Sequence, residues 1–91
     1  MRKLALISLT AAALSAPSAA EAGSLGRPCT TAPQVQWLSL DALQAKVEAL
    51  GYKVQKAKIK HACGEIYALD NNGARVELFV DPTSGQIIGQ E

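Results

Sequence analysis

The chain has 91 residues, nine of them basic and eight acidic, for a formal net charge of +1 at pH 7. That length allows one domain with a thin core and excludes a multidomain enzyme. A charge so near zero gives no general attraction to nucleic acid or to an anionic membrane surface.

The N-terminus has the three parts of a cleavable signal peptide. Arg2 and Lys3 supply the positive start, an uncharged and mostly apolar run follows from Leu4 to Ala16, and small residues come after Pro17. Ala20-Glu21-Ala22 fits the small-x-small rule, which places cleavage after Ala22, and Ser18-Ala19-Ala20 offers a near-equal site two residues earlier. The apolar run falls short of the roughly 20 residues that span a bilayer, so stable membrane insertion after cleavage is not expected. No cysteine follows closely enough to indicate a lipoprotein. The expected organisation is a signal peptide at 1–22, an extended leader at 23–36 and a domain at 37–91, delivered to the periplasm or secreted.

Cys29 and Cys63 are the two cysteines. In an oxidising compartment an isolated pair is most simply a disulfide. It would close a loop of about 35 residues, for which the chain-entropy model gives about 3–4 kcal/mol. The pair is too widely spaced for a C-x-x-C redox motif; metal ligation or a free thiol is the alternative.

Residues 23–36 are rich in Gly, Ser, Thr and Pro and show no periodicity, which predicts an extended leader that Cys29 ties down. A helix follows over Leu40–Leu50. Ser39 is its N-cap, Asp41 sits in its first turn, and Leu38 and Leu43 are placed for a hydrophobic staple. Leu40, Leu43, Val47 and Leu50 recur at helical spacing, and Gly51 stands at the C′ position. Tyr52 to Lys60 reads as a strand whose apolar phase switches from Tyr52 and Val54 to Ala57 and Ile59, so a bulge is expected near Gln55-Lys56.

Cys63–Leu69 and Ala74–Val80 flank Asp70-Asn71-Asn72-Gly73, a hairpin signal. A two-residue turn at Asn72-Gly73 pairs Tyr67 with Leu78 and Ile66 with Phe79. One face then carries Cys63, Tyr67, Leu69, Val76, Leu78 and Val80 toward the helix, and the other carries Ile66, Ala68, Arg75, Glu77 and Phe79. A three-residue turn would invert that sorting for one strand. Asp81 to Gly85 is a second turn, and Gln86 to Gly89 a short last strand with Ile87 or Ile88 facing in. The expected fold class is α+β: one helix packed on a three- to four-stranded antiparallel sheet, with an N-terminal extended segment pinned by a disulfide.

Gly51-Tyr52-Lys53-Val54, the Tyr-bearing strand Glu65 to Ala68, the Asp70-to-Gly73 turn and the ending Val80 to Ile88 together resemble the PepSY domain, in a short secreted single-domain form. The resemblance covers about Trp37 to Ile88. It departs from the usual Asp-x-x-Thr-Gly ending, since Ser84 precedes the glycine. It implies a helix-plus-antiparallel-sheet fold. It also implies a regulatory role, because PepSY modules occur in propeptides of thermolysin-like metallopeptidases and are thought to bind and restrain peptidases. The family has no catalytic residues to carry over.

The remaining chemistry is sparse. His61-x-Cys63 is half a metal site at most, and its use requires thiolates from the cysteines. Asp70 to Gly73 lacks the ligand spacing of an EF-hand. No nucleophile stands with a base and an orienting group, so no enzyme activity and no cofactor are expected. Lys56, Lys58 and Lys60 alternate on one strand face, where they either meet an acidic partner or protect an edge. Ile66 and Phe79, predicted to lie opposite each other on the face away from the helix, form a candidate protein-contact patch unless the leader covers them with Val35 or Trp37. The resulting expectation is a non-catalytic regulatory module whose partner is a protein, either a peptidase or another envelope protein. The alternative is a metal- or small-ligand-binding protein using His61 and the cysteines. A monomer or weak homo-oligomer is expected, with no nucleic acid bound.

Overall fold

The computed structural model describes residues 25–91, and the signal peptide expected at 1–22 lies outside them. Leader residues 25–33 run to a single 3-10 turn at Gln34–Gln36, where the Trp37 indole N–H reaches back to the Ala32 carbonyl at 3.0 Å. Helix α1 (Leu40–Ala49) begins at Ser39, whose Oγ accepts the Ala42 N–H at 3.1 Å. That N–H is one of the first-turn donors that have no partner inside the helix. The helix ends at Ala49, one residue before the expected bound, with Leu50 as its C-cap.

Four strands follow as an antiparallel meander: β1 (Lys53–Lys60), β2 (Cys63–Leu69), β3 (Arg75–Val80) and β4 (Ile87–Gln90), in the order β1-β2-β3-β4. Val54 pairs with Ala68 and Lys56 with Tyr67, so Gln55 is the extra residue of a bulge. That is the phase change the apolar pattern demanded. A second irregularity separates Phe79 and Val80 in their pairing with β4. Strand alternation puts Ile87 against the helix-side core and Ile88 against the opposite face.

The β2–β3 register corrects the two-residue turn. Ile66 pairs with Leu78, Tyr67 with Glu77 and Leu69 with Arg75, one position away from the expected pairing. The loop is instead three residues, Asn71 to Gly73, closed by the Asp70–Ala74 pair. Asp70 sets it: Oδ1 accepts the N–H groups of Asn72 (2.8 Å) and Ala74 (2.9 Å). Gly73 takes φ +81°, the left-handed conformation that ends such a turn. Because side chains alternate with period two, the shift turns β2 over. Ile66 and Ala68 face the helix, while Cys63 and Tyr67 face away.

On the helix side, Leu43 and Val47 pack on Ile66, Ala68, Leu78 and Val80, all nearly or completely buried. Gly64 permits this approach, since a Cβ there would stand 2.6 Å from Val80 Cγ2 and 3.3 Å from Leu43 Cδ1. On the other face, Phe79 lies with Cys29, Cys63, Leu25 and Ile88, and the Cys29–Cys63 disulfide pins the leader across it. Ile66 and Phe79 are therefore not an exposed pair: they sit on opposite faces, 0 % and 1 % accessible. The leader does cover Phe79, but through Leu25 and Cys29; Val35 stays 89 % exposed.

Two stability outcomes follow from this packing. Gly64→Ala forces Val80 or the helix to move and is expected to cost about 1–3 kcal/mol in a urea unfolding midpoint. The β1–β2 turn holds His61 (φ 53°) and Ala62 (φ 59°) in the left-handed region that β-hairpin turns reserve for Asn-Gly. The pair His61→Asn, Ala62→Gly is expected to stabilise by about 1–2 kcal/mol, read from the same unfolding curves.

Candidate functional site

The sheet face away from the helix is divided. Its Cys63–Phe79 end is sealed by the leader and the disulfide. Its Tyr67–Glu77 end carries side chains from β1, β2 and β3, which the antiparallel register sets in rows. In one row, Lys56 of β1 pairs with Tyr67 of β2, which pairs with Glu77 of β3. Glu77 in turn exchanges backbone hydrogen bonds with Glu91 at 2.9 and 2.8 Å. In the next row, Lys58 pairs with Glu65, which pairs with Phe79.

The lysines share the face that alternation assigned them, opposite Ala57 and Ile59, but they are not equivalent there. Lys58 Nζ lies 3.9 Å from Glu65 Oε1, and the Glu65 carboxylate is only 1 % accessible. Lys56 and Lys58 also place their ammonium groups 5.9 Å from the centroid of the Tyr67 ring, within reach of its negative π face. Lys60 pairs with Cys63 at the far end and stays exposed. Thus Lys58 contributes to the domain's own charge balance, while Lys56 and Lys60 are exposed on the edge strand.

Two carboxylates are buried on this face. Glu65 is buried beside Phe79 with only a long ion pair for Oε1. Glu77 is 9 % accessible, and its Oε2 has no hydrogen-bond partner. Burial raises the Glu77 carboxyl above its ordinary range; a hydrogen bond with the Tyr67 side chain pulls the other way, Glu65 and Glu91 push it further up, and Lys58 lowers it. The Tyr67 hydroxyl is raised by the same burial and by the charge and hydrogen bond of Glu77. It therefore stays protonated and donates at neutral pH. Gln55, Tyr67, Arg75, Glu77 and Glu91 line an open recess of about 370 Å³ at this end of the sheet.

The residues considered for metal binding are not brought together. Cys29 and Cys63 have both sulfurs in the disulfide, so His61, exposed in its turn, lacks thiolate co-ligands. Among the described residues no group of three or more His, Cys, Asp or Glu is placed to hold a metal ion. Among the same residues no helix is long and apolar enough to cross a membrane.

Comparison with protein families gives a match to the one described as peptidase propeptide and YPEB domain, over residues 5–91. Comparison with curated proteins and with solved structures gave no match.

The buried Glu77 sets a pH signature. Below its ordinary value of 4.5 the carboxyl is protonated both folded and unfolded, and the cost of burying its charged form is absent. As pH rises, the unfolded chain ionises first, so the native state loses stability until its own carboxyl has ionised. Glu77→Gln removes that loss and keeps an acceptor for Tyr67. Thermal unfolding across pH should show the variant gaining on the parent chain from acid to neutral pH, with the two converging at acid pH.

Proposed function

Since the chain belongs to the peptidase propeptide and YPEB domain family, PepSY, we propose that it is an exported, non-catalytic module that binds a peptidase and restrains it. The family match over nearly the whole chain carries this reading. The N-terminal signal-peptide pattern and a disulfide, which oxidising compartments favour, support the export part of it. The exposed lysines of β1 are the charge-bearing edge offered to a partner. Lys56 and Lys60 qualify, whereas Lys58 is committed to Glu65. Ile66 and Phe79 no longer belong to such a surface, being buried on opposite sides of the sheet.

The test is to capture partners of the purified protein from periplasmic extract with a crosslinker, then assay each captured peptidase with and without it. A saturable slowing of peptide hydrolysis is expected. Reversing Lys56 and Lys60 to Glu should weaken it by about tenfold, the size of effect a lost complementary charge has at an interface. Capture that yields no peptidase, or a peptidase whose rate is unchanged, overturns the reading.

A further inference from the structure

We propose that the recess beside Tyr67 and Glu77 seats a basic side chain, a lysine or an arginine, presented by a partner protein. Three observations lead there. Glu77 lines the recess more than nine-tenths buried, yet its Oε2 has no hydrogen-bond partner. Buried carboxylate oxygens are ordinarily satisfied, and this one, shielded from solvent in the wall of the recess, is left without a donor. Glu91 stands on the same recess and Glu65 lies one row away, and Lys56 and Lys58 beside the Tyr67 ring offset part of that negative charge. Tyr67 adds an aromatic wall, one that already has two ammonium groups near it, a surface on which a guanidinium also packs. A volume of about 370 Å³ fits one long side chain and is at the small end for a drug-sized ligand.

Arg75 also lines the recess and is exposed. It is a cation on the recess wall, and a guest must compete with it. This makes the two charges separable: Glu77 recruits the guest and Arg75 opposes it.

The proposal rests on the reading of the chain as a protein-binding module, but its test needs no peptidase. Blocked tripeptides with a central arginine, lysine or glutamate are titrated into the purified, disulfide-intact protein, and backbone amide shifts are followed. The basic peptides should move the Tyr67, Val76 and Glu77 amides saturably at millimolar concentration, while the acidic one leaves them in place. Glu77→Gln, which is expected to fold more stably at neutral pH, should weaken binding by about tenfold, equivalent to about 1.4 kcal/mol. Arg75→Gln should strengthen it. No shift at millimolar peptide, equal shifts from the acidic peptide, undiminished binding by Glu77→Gln, or binding that Arg75→Gln leaves unchanged or weakens would each overturn the proposal. Peptidase inhibition without tripeptide binding removes the recess alone. Tripeptide binding without inhibition removes the peptidase reading alone.

Discussion

The covalent link between Cys29 and Cys63 is the constraint on which the rest of this small domain depends. A four-stranded sheet has two faces, and the described residues hold a single α-helix with which to cover them. Leu43 and Val47 close one side over Ile66, Ala68, Leu78 and Val80. The other side would leave Phe79 in water. The leader covers it with two side chains, Leu25 and Cys29, against Phe79, Cys63 and Ile88. So short a segment buries little apolar area on its own, at about 25 cal/mol per Å². Ordering its backbone costs on the order of 1–2 kcal/mol per residue. The disulfide makes the balance favourable by restricting the unfolded chain.

The covered and uncovered halves of that second face explain where polar groups could accumulate. Under the leader, the sheet is apolar and sealed. Beyond it, Tyr67, Glu77 and Glu91 stand in one row with Lys56, and the face remains open. A buried carboxylate with an unmet oxygen is a poor choice for stability, and an apolar residue of similar volume would serve the fold better. Groups of this kind tend to mark places where a chain gives up stability for recognition. The family to which the chain belongs is described as peptidase propeptide and YPEB domain.

Much of this architecture could be read from the residues. Ser39, Leu38 with Leu43, and Gly51 punctuate the helix so clearly that only its last residue differed. The bulge at Gln55 was visible because Val54 and Ala57 cannot share a face without it. The β2–β3 register was not legible in the same way. Asn72-Gly73 is a strong signal for a two-residue turn, but the Asp70 carboxylate binds two N–H groups of the loop and selects a three-residue one. Period-two alternation then carried that single-position difference along the whole of β2, exchanging Ile66 for Tyr67. The candidate site was hidden by the same step. Glu77 was placed on the correct face, but Tyr67 was assigned to the core, so the row that joins them was absent. Glu65 carried a faint signal, an acidic residue at the same parity as Cys63 on an otherwise apolar strand.

Every strand in the sheet pairs with its neighbour in sequence. The leader is different: it supplies side chains to the second face but no strand to the ladder. The two parts are therefore separable units of opening. Lifting the leader breaks no strand pairing, so Phe79 and Ile88 can be uncovered at a free-energy cost well below that of global unfolding. The amides of β2 and β3 would keep the slow hydrogen exchange of the global transition while the leader exchanges through its own, shallower one. With the disulfide closed, such openings stay short excursions of a tethered segment, which returns to the face it left.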